Sequence, residues 1–147
     1  MARLSTNGIA ELCADLTGLG DSTGELLGEM LNAEAVIVQE AQRKTAKSMG
    51  VYDESGRNIG GHMADSITVG SRVYKSADGA AQYVYPKGSR RRKNTTSSNT
   101  EIAFVNEFGR QGQPPRSFIR TANEASAEKA VAAAEQVYDN FLKSKNL

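Results

Sequence analysis

Residues Glu101–Arg120, EIAFVNEFGRQGQPPRSFIR, decide how the second half of this chain folds. Pro115 has no backbone N–H, and the proline that follows Pro114 holds it extended, so neither residue fits a helix interior. Both are well suited to the start of a helix. Phe118 and Ile119 come directly afterwards, where they can insert the first helical turn into a core. The stretch therefore predicts a C-terminal helix, at about residues 117–143, that Pro115, Phe118 and Ile119 anchor.

The residues before the prolines predict a turn that fixes the direction of this helix. Gly109 and Gly112 bracket a polar link and suit positive φ angles, which other residues resist. We expect Glu107 to pair with Arg116 or Arg120. Four residues are expected to shape the turn: Phe104, Glu107, Phe108 and Gly109. The whole stretch is therefore predicted to form a fixed hinge between the edge of a sheet and the last helix.

Two more helices are indicated near the N-terminus. Apolar residues such as Ile9 and Leu12 predict a short helix within residues 1–20. Ser22 and Glu25 have the spacing of a capping box and predict the start of a long helix over residues 22–49, which Gly50 ends. Residues 51–62 are rich in Gly, Asp, Asn and Ser and predict a loop.

Strands are expected over residues 65–109. The segments Ser66–Tyr74, Gln82–Tyr85 and Glu101–Val105 are the candidate strands. Residues 87–100 form a basic loop without core residues, which we expect to be mobile. The predicted class is α+β, a small antiparallel sheet of three to four strands with two long helices packed on one face.

Composition indicates one domain over residues 1–147 with a lean core. Hydrophobic residues make up 39% of the chain, and tryptophan is absent. Seven alanines lie between Thr121 and Gln136; they reflect either high helix propensity or a smooth face for another subunit. A single cysteine fits a reducing compartment, and no apolar run approaches the about 20 residues of a membrane span. We expect a soluble protein made in the cytoplasm.

Charge is unevenly distributed although the net charge is only +1. Residues 1–54 carry nine acids and four bases, whereas residues 79–100 carry five bases and no acid. The acidic and basic regions of different copies are suited to attract one another, or both are simply solvated surface.

Residues suited to catalysis or metal binding are sparse. The chain has one histidine, His62, and one cysteine, Cys13, nearly fifty residues apart, whereas a metal site needs several ligands at fixed spacing. His62 is expected in a turn and Cys13 in a helix core. We expect no enzymatic activity, no metal and no cofactor.

The basic loop is a candidate contact with DNA or with a protein partner. Its five bases are suited to neutralise phosphates, with an affinity that falls as salt rises: Lys87, Arg90, Arg91, Arg92 and Lys93. Tyr83 and Tyr85 nearby either stack on bases or finish a core edge. Since no element for reading base sequence is present, contact would be with the backbone alone.

Three motifs in order resemble the small tail-component family (neck or tail-completion proteins) of long-tailed double-stranded DNA phages and prophages. The matching segments are Ser66–Val69, Phe104–Gly109 and Pro114–Arg120, within a resemblance that spans residues 22–142. The chain departs from the family pattern at Ile59–His62, where a Pro-x-x-Thr-Gly turn is frequent. It departs again at Pro115, where Ala is frequent, and at Ser117, where Pro is usual.

The resemblance implies a virion structural protein at the head–tail junction, assembled in the host cytoplasm. It implies a homo-oligomeric ring that contacts head-closure, tail-terminator or tail-tube proteins by surface complementarity, without turnover and without a membrane. Arg116 and Arg120 belong to the segment expected at this interface. Two alternatives stay open: a non-specific DNA-binding module that uses residues 87–93, and a small regulatory or toxin-like partner protein that forms no ring.

Overall fold

The computed structural model describes residues 7–51, 58–59, 63–76, 79–92 and 94–146. For residues 7–19, 21, 58–59 and 92 it describes the backbone alone. The predictions made for the side chains of Cys13, His62, Arg92 and Lys93 therefore lie outside the described residues.

The described chain combines helices with two small antiparallel sheets. In chain order its elements are α1 (Asn7–Ser48), β1 (Asn58–Ile59), a 3₁₀ helix (Met63–Ser66), β2 (Ile67–Ser76), β3 (Gly79–Pro86), β4 (Ser89–Arg92), β5 (Thr95–Ser98), α2 (Asn99–Phe108) and α3 (Phe118–Ser144). Strands β2 and β3 pair as one hairpin, and β4 and β5 as another, to which the two-residue β1 adds a short third strand. The mixed helix-and-sheet class is confirmed, whereas the single sheet of three to four strands is wrong.

The two predicted N-terminal helices are one continuous helix, α1. The capping box expected at Ser22 does not form, because a cap residue must lie outside the helix and Ser22 lies within it. Thr23 instead donates its hydroxyl proton to the carbonyl of Gly20 at 2.7 Å, a bond typical of a hydroxyl in a helix interior. The helix ends where predicted: Gly50 adopts a φ of 59°, and the N–H of Val51 bonds back to Ala46 at 3.1 Å.

The predicted third strand, Glu101–Val105, is the middle of helix α2. Ser98 accepts a hydrogen bond from the N–H of Glu101 at 3.0 Å, so its side chain satisfies a donor at the helix start. The inward residues follow a helical spacing, at Asn99, Ala103, Asn106 and Glu107. A local cap and a 3.6-residue period therefore prevail over the β-propensity of this short apolar run.

The predicted basic loop is ordered as the β4–β5 hairpin. Ser89 pairs with Ser98 and Arg91 with Thr96 in an antiparallel register. The threonines at 95 and 96 favour extended structure, and residues 95–98 give the arginine strand a partner for its backbone hydrogen bonds. The prediction of a loop over residues 87–100 is therefore wrong for most of the part that the structure describes, where strands and the start of α2 stand. The expected mobility stays a prediction.

Helix α1 holds the first residues of β2 through polar side chains spaced four residues apart. Gln39 and Arg43 both donate to the carbonyl oxygen of Ile67, at 2.9 Å and, from Nη2 of Arg43, at 2.6 Å. Lys47 forms an ion pair with Asp65 at 2.6 Å. These bonds set the angle at which the β2–β3 hairpin leaves the core and lies along α1.

Helix α3 packs against α1 through small residues. Its buried positions include Ala122, Ser126, Ala130 and Ala134, a four-residue repeat that lets the two backbones approach closely. Gln42, buried on α1, donates to the side-chain oxygen of Asn123 at 2.9 Å. The predicted packing of both long helices on one sheet face is not confirmed, since α1 contacts the β2–β3 hairpin and α3 contacts α1.

The core lies where the end of α1, the 3₁₀ helix, β2, α2 and the start of α3 meet. Its buried members are Ala46, Val51, Met63, Ala64, Ile67, Ala103 and Phe118. Only Phe118, Met63 and Ile67 combine large size with complete burial among the described side chains. The described core is therefore small, and among the residues that the structure describes Phe118 contributes its only aromatic ring.

Candidate assembly interface

The turn after α2 can be made only by glycine. Gly109 has a φ of 78°, a region that side chains with a Cβ rarely adopt. A Cβ at this position would come within 2.9 Å of both the carbonyl oxygen of Gln113 and the nitrogen of Pro115. The ring of Pro115 lies over this glycine and is exposed to solvent. Pro115 therefore packs against the turn that precedes α3, and its predicted part in anchoring that helix stays a prediction.

The link between α2 and the prolines is a small closed turn. Arg110 and Gln113 exchange two backbone hydrogen bonds, at 3.0 Å and 2.8 Å. Gly112, between them, has a φ of 79° and no atom near the place of a Cβ. The positive φ angles predicted for both glycines are confirmed, and the link is a fixed structure.

Glu107 caps helix α3 from the last turn of α2. Its carboxylate accepts the N–H of Ile119 at 2.8 Å and the N–H of Arg120 at 3.1 Å. The residue is only 8% exposed, and its own carbonyl accepts the hydroxyl of Ser117 at 3.1 Å. A negative charge beside the first amides of a helix is favoured by their partial positive charge. The carboxylate of Glu107 therefore bonds to two backbone amides. These bonds are not the predicted pairing with the side chain of Arg116 or Arg120.

Arg116 joins the start of α3 to two other elements. Its N–H donates to the carbonyl of Asn106 at 2.6 Å, and its guanidinium donates to the carbonyl of Gly50 at the end of α1. Asn106, buried in α2, bonds in turn to the carbonyl of Ile102 at 2.8 Å. The three helix ends are thus locked together by hydrogen bonds that short sequence motifs do not reveal.

Two aromatic rings stand on the outside of this locked junction. Phe104 and Phe108 are 61% and 67% exposed, and their ring centroids lie 4.8 Å apart. An open depression of about 460 Å³ begins at Phe108 and follows the link to Pro115. Both rings were expected to shape the turn, but they lie outside it, because their four-residue spacing places them on the solvent face of α2. The buried ring that does fill the junction is Phe118.

The basic residues do not form one surface. Arg90 is buried, with 6% of its surface exposed, whereas its neighbour Arg91 is exposed. This is what a strand requires, since successive side chains point to opposite faces. Lys87 is exposed as well. The set predicted to contact phosphates is therefore divided, and Arg90 belongs to the protein interior.

The described residues include no group of three or more His, Cys, Asp or Glu side chains placed to hold a metal ion. No helix in the described part of the chain is long and apolar enough to cross a membrane.

Sequence reasoning missed three side chains that order this region. Ser98 was detectable, because it stands three residues before Glu101 and so has capping-box spacing. The roles of Arg43 and Asn106 depend on residues distant in the chain and have no local signal. In comparisons with known proteins, no family model, no curated protein and no solved structure matches this chain.

Proposed function

We propose that this chain is a structural protein of a phage head–tail connection, a neck or tail-completion component that assembles into a ring. The proposal starts from the three ordered motifs, Ser66–Val69, Phe104–Gly109 and Pro114–Arg120, and from what their residues do in the fold. In this function the protein acts by fitting its surfaces to copies of itself and to adjoining virion proteins.

One observation supports this proposal best: large apolar side chains are more often exposed than buried. Among the described residues, five large apolar side chains are buried: Leu26, Val51, Met63, Ile67 and Phe118. Ten are exposed: Leu27, Val36, Met49, Tyr74, Tyr83, Tyr85, Phe104, Phe108, Val131 and Tyr138. Exposed aromatic residues in such numbers are typical of surfaces that other proteins cover.

The junction at Gly109 is suited to an assembly contact because it is rigid. Phe104 and Phe108 project from a helix whose end is fixed by Gly109, and Glu107 ties that helix to α3. Rigid aromatic side chains lose little conformational entropy on association, so they contribute strongly at the centre of an interface. We assign this pair to contact with a neighbouring subunit or virion protein.

A particle assay tests the function directly. The double variant Phe104→Ser with Phe108→Ser is placed in the encoding phage or prophage, and the particles are counted by electron microscopy and by infectivity. We expect unjoined heads and tails and loss of the protein from purified particles. Tyr138→Ser, which removes an exposed ring from α3, is the matched control for surface polarity. Absence of the wild-type protein from purified particles would refute the proposal.

Non-specific DNA binding is the second candidate, favoured by the exposed side chains of Lys87 and Arg91. The burial of Arg90 reduces the cations available to phosphates. If the chain is a DNA-binding module, its affinity for duplex DNA should fall steeply as salt rises. If it is a purely structural ring component, it should have little affinity for free DNA. A salt titration of DNA binding therefore distinguishes the two functions.

A further inference from the structure

The chain separates its charges into two regions more sharply than its net charge suggests. Residues 7–42, most of helix α1, carry seven acids and no base. Residues 66–100, which form both hairpins, carry seven bases and one acid, Asp78. The two regions therefore have opposite and comparable charge within one small chain.

The outer face of the β2–β3 hairpin carries three exposed tyrosines: Tyr74, Tyr83 and Tyr85, between 40% and 57% exposed. The alternate residues of β3, Gln82 and Val84, are half-buried on the side toward α1. Tyr74 and Tyr83 meet edge to face with their ring centroids 5.1 Å apart. We call these three residues the tyrosine face. The hairpin holds its rings in place, and the described chain covers only part of each ring.

Two exposed cations accompany the tyrosine face. Arg72 precedes Tyr74 by two residues on β2, and Lys87 follows β3 directly after Pro86. Tyrosine hydroxyls and such cations together suit a surface that carries carboxylates beside some apolar area.

Helix α1 carries a surface of that kind. Glu25, Glu29, Val36 and Glu40 fall on one side of the helix, because their separations of four, eleven and fifteen residues are close to whole helical turns. All four are exposed, with Val36 at 38%. None of the three carboxylates forms an ion pair with another described side chain. We call these four residues the acidic stripe.

The two surfaces match in length as well as in charge. From Glu25 to Glu40 the stripe runs about 22 Å along the helix axis. From Tyr74 back to Thr68, which pairs with Tyr85, the hairpin runs about 20 Å. The hairpin lies on its own α1 through its inner face, so its outer face is directed away from that helix. Contact between the tyrosine face and an acidic stripe therefore requires a second copy of the chain.

We propose that the tyrosine face of one copy, with Arg72 and Lys87, docks on the acidic stripe of the next copy. Because the two surfaces differ, the contact is heterologous and repeats from copy to copy, closing a ring or extending a filament. This inference rests on the ring proposed above and names its subunit interface. Nucleic acid fits the tyrosine face less well, because Arg90 is buried and the acidic α1 of the same chain repels phosphate.

Exchange of charge between the two surfaces tests the interface. The first variant combines Arg72→Glu with Lys87→Glu, and the second combines Glu25→Lys with Glu29→Lys. In the first variant alone both surfaces are negative, and in the second variant alone both are positive, so like charges meet at every contact. In an equimolar mixture, each contact between unlike copies again joins surfaces of opposite charge. Mass is measured by light scattering at about 50 mM and about 500 mM salt, where screening differs strongly.

We expect wild-type self-association that weakens with salt, at least roughly tenfold weaker association for each variant alone, and recovery in the mixture. Glu128→Lys, an exposed reversal on α3, should leave association unchanged. Thermal melting monitored by circular dichroism verifies that every variant is folded.

Wild-type protein that is monomeric at low salt, or variants that associate as the wild type does, would overturn the interface. So would a mixture that fails to recover. If the first variant loses binding to a single-stranded oligonucleotide and keeps its self-association, the tyrosine face is a nucleic-acid site instead. If both variants still form the rings that the wild type forms, this interface is excluded and the proposed function stands. The same holds if the wild type is monomeric in solution but is found in particles. If the wild type is monomeric and is absent from particles, the proposed function is excluded as well.

Discussion

The carboxylate of Glu107, in the last turn of α2, lies 2.8 Å from the backbone nitrogen of Ile119, in the first turn of α3. One buried acid therefore joins the end of one helix to the start of the next, across a link of nine residues, 109–117, that contains two glycines and two prolines. The arrangement fixes the direction of α3 relative to α2. It also holds the exposed rings of Phe104 and Phe108 in place on the outside.

Replacing Glu107 should destabilise the fold through the loss of this cap. We expect Glu107→Ala to lower the free energy of unfolding by about 1–3 kcal/mol, because two partly buried amides lose their acceptor. Glu107→Gln keeps one acceptor oxygen and should cost less. Urea denaturation measures both, with Glu124→Gln on the exposed side of α3 as the control. Equal stabilities of Glu107→Ala and wild type would contradict the cap.

Gly109 and Gly112 both have a positive φ, but only Gly109 is also closely packed. Gly112 has open space around it, so an alanine there should cost about 1–2 kcal/mol. Gly109 combines a φ of 78° with a ψ of 176°, a region almost confined to glycine, so its backbone strain should be at least as large. Only Gly109 places a Cβ against Gln113 and Pro115, which should add roughly 1–3 kcal/mol. The additional cost of Gly109→Ala over Gly112→Ala in urea denaturation measures this overlap together with the extra backbone strain at Gly109. If the two alanine variants unfold at the same urea concentration, the close packing around Gly109 is absent.

Phe118→Ala should be the most damaging single truncation in the core. The ring is completely buried, and its removal should lower the free energy of unfolding by about 3–5 kcal/mol. Phe108→Ala removes a ring that is mostly exposed and should change stability by less than about 0.5 kcal/mol in dilute protein. Thermal melts of both variants decide the matter. A Phe118→Ala protein that melts with the wild type would show that this ring does not anchor α3.

Arg43 should stabilise the start of the β2–β3 hairpin. Its Nε and Nη2 both donate to the carbonyl of Ile67, at 3.0 Å and 2.6 Å. We expect Arg43→Ala to cost about 1.5–3 kcal/mol, since hydrogen bonds from a charged group are lost. Lys44→Ala, at an exposed neighbouring position, should have little effect. Hydrogen exchange of the β2 amides should rise selectively in Arg43→Ala, and unchanged exchange there would argue against the bond.

The arginines of β4 should differ in their effects. Arg90→Ala truncates a buried side chain and should cost about 1–3 kcal/mol of stability. Arg91→Ala, at an exposed position, should change stability by less than about 0.5 kcal/mol. For a DNA-binding protein, Arg91→Ala should reduce the slope of log affinity against log salt concentration by about one. Stability is measured by urea denaturation, and affinity for DNA by fluorescence anisotropy. An Arg91→Ala protein that is less stable than the Arg90→Ala protein would contradict the strand geometry.

Much of the fold followed from local sequence signals. Gly50 ended α1, the two positive φ glycines were identified, and the helix predicted at 117–143 is observed at Phe118–Ser144. The strand predicted at Glu101–Val105 failed because four apolar residues in a short run fit either period. The capping serine, Ser98, would have settled the choice. The break predicted before Ser22 failed because a capping-box spacing also occurs inside helices.

The sequence by itself determined the end of α1, the bounds of α3, the glycine turn, the lean composition of the core and the separation of charge, since each depends on composition or on residues that are neighbours in the chain. Only the tertiary structure decided which side chains are outside. Phe118 is buried and Phe104 is exposed, yet both are phenylalanines beside a turn. The distinction comes from long-range contacts, in which Glu107 bonds α3 and Arg116 bonds the end of α1, and local periodicity carries no information about them.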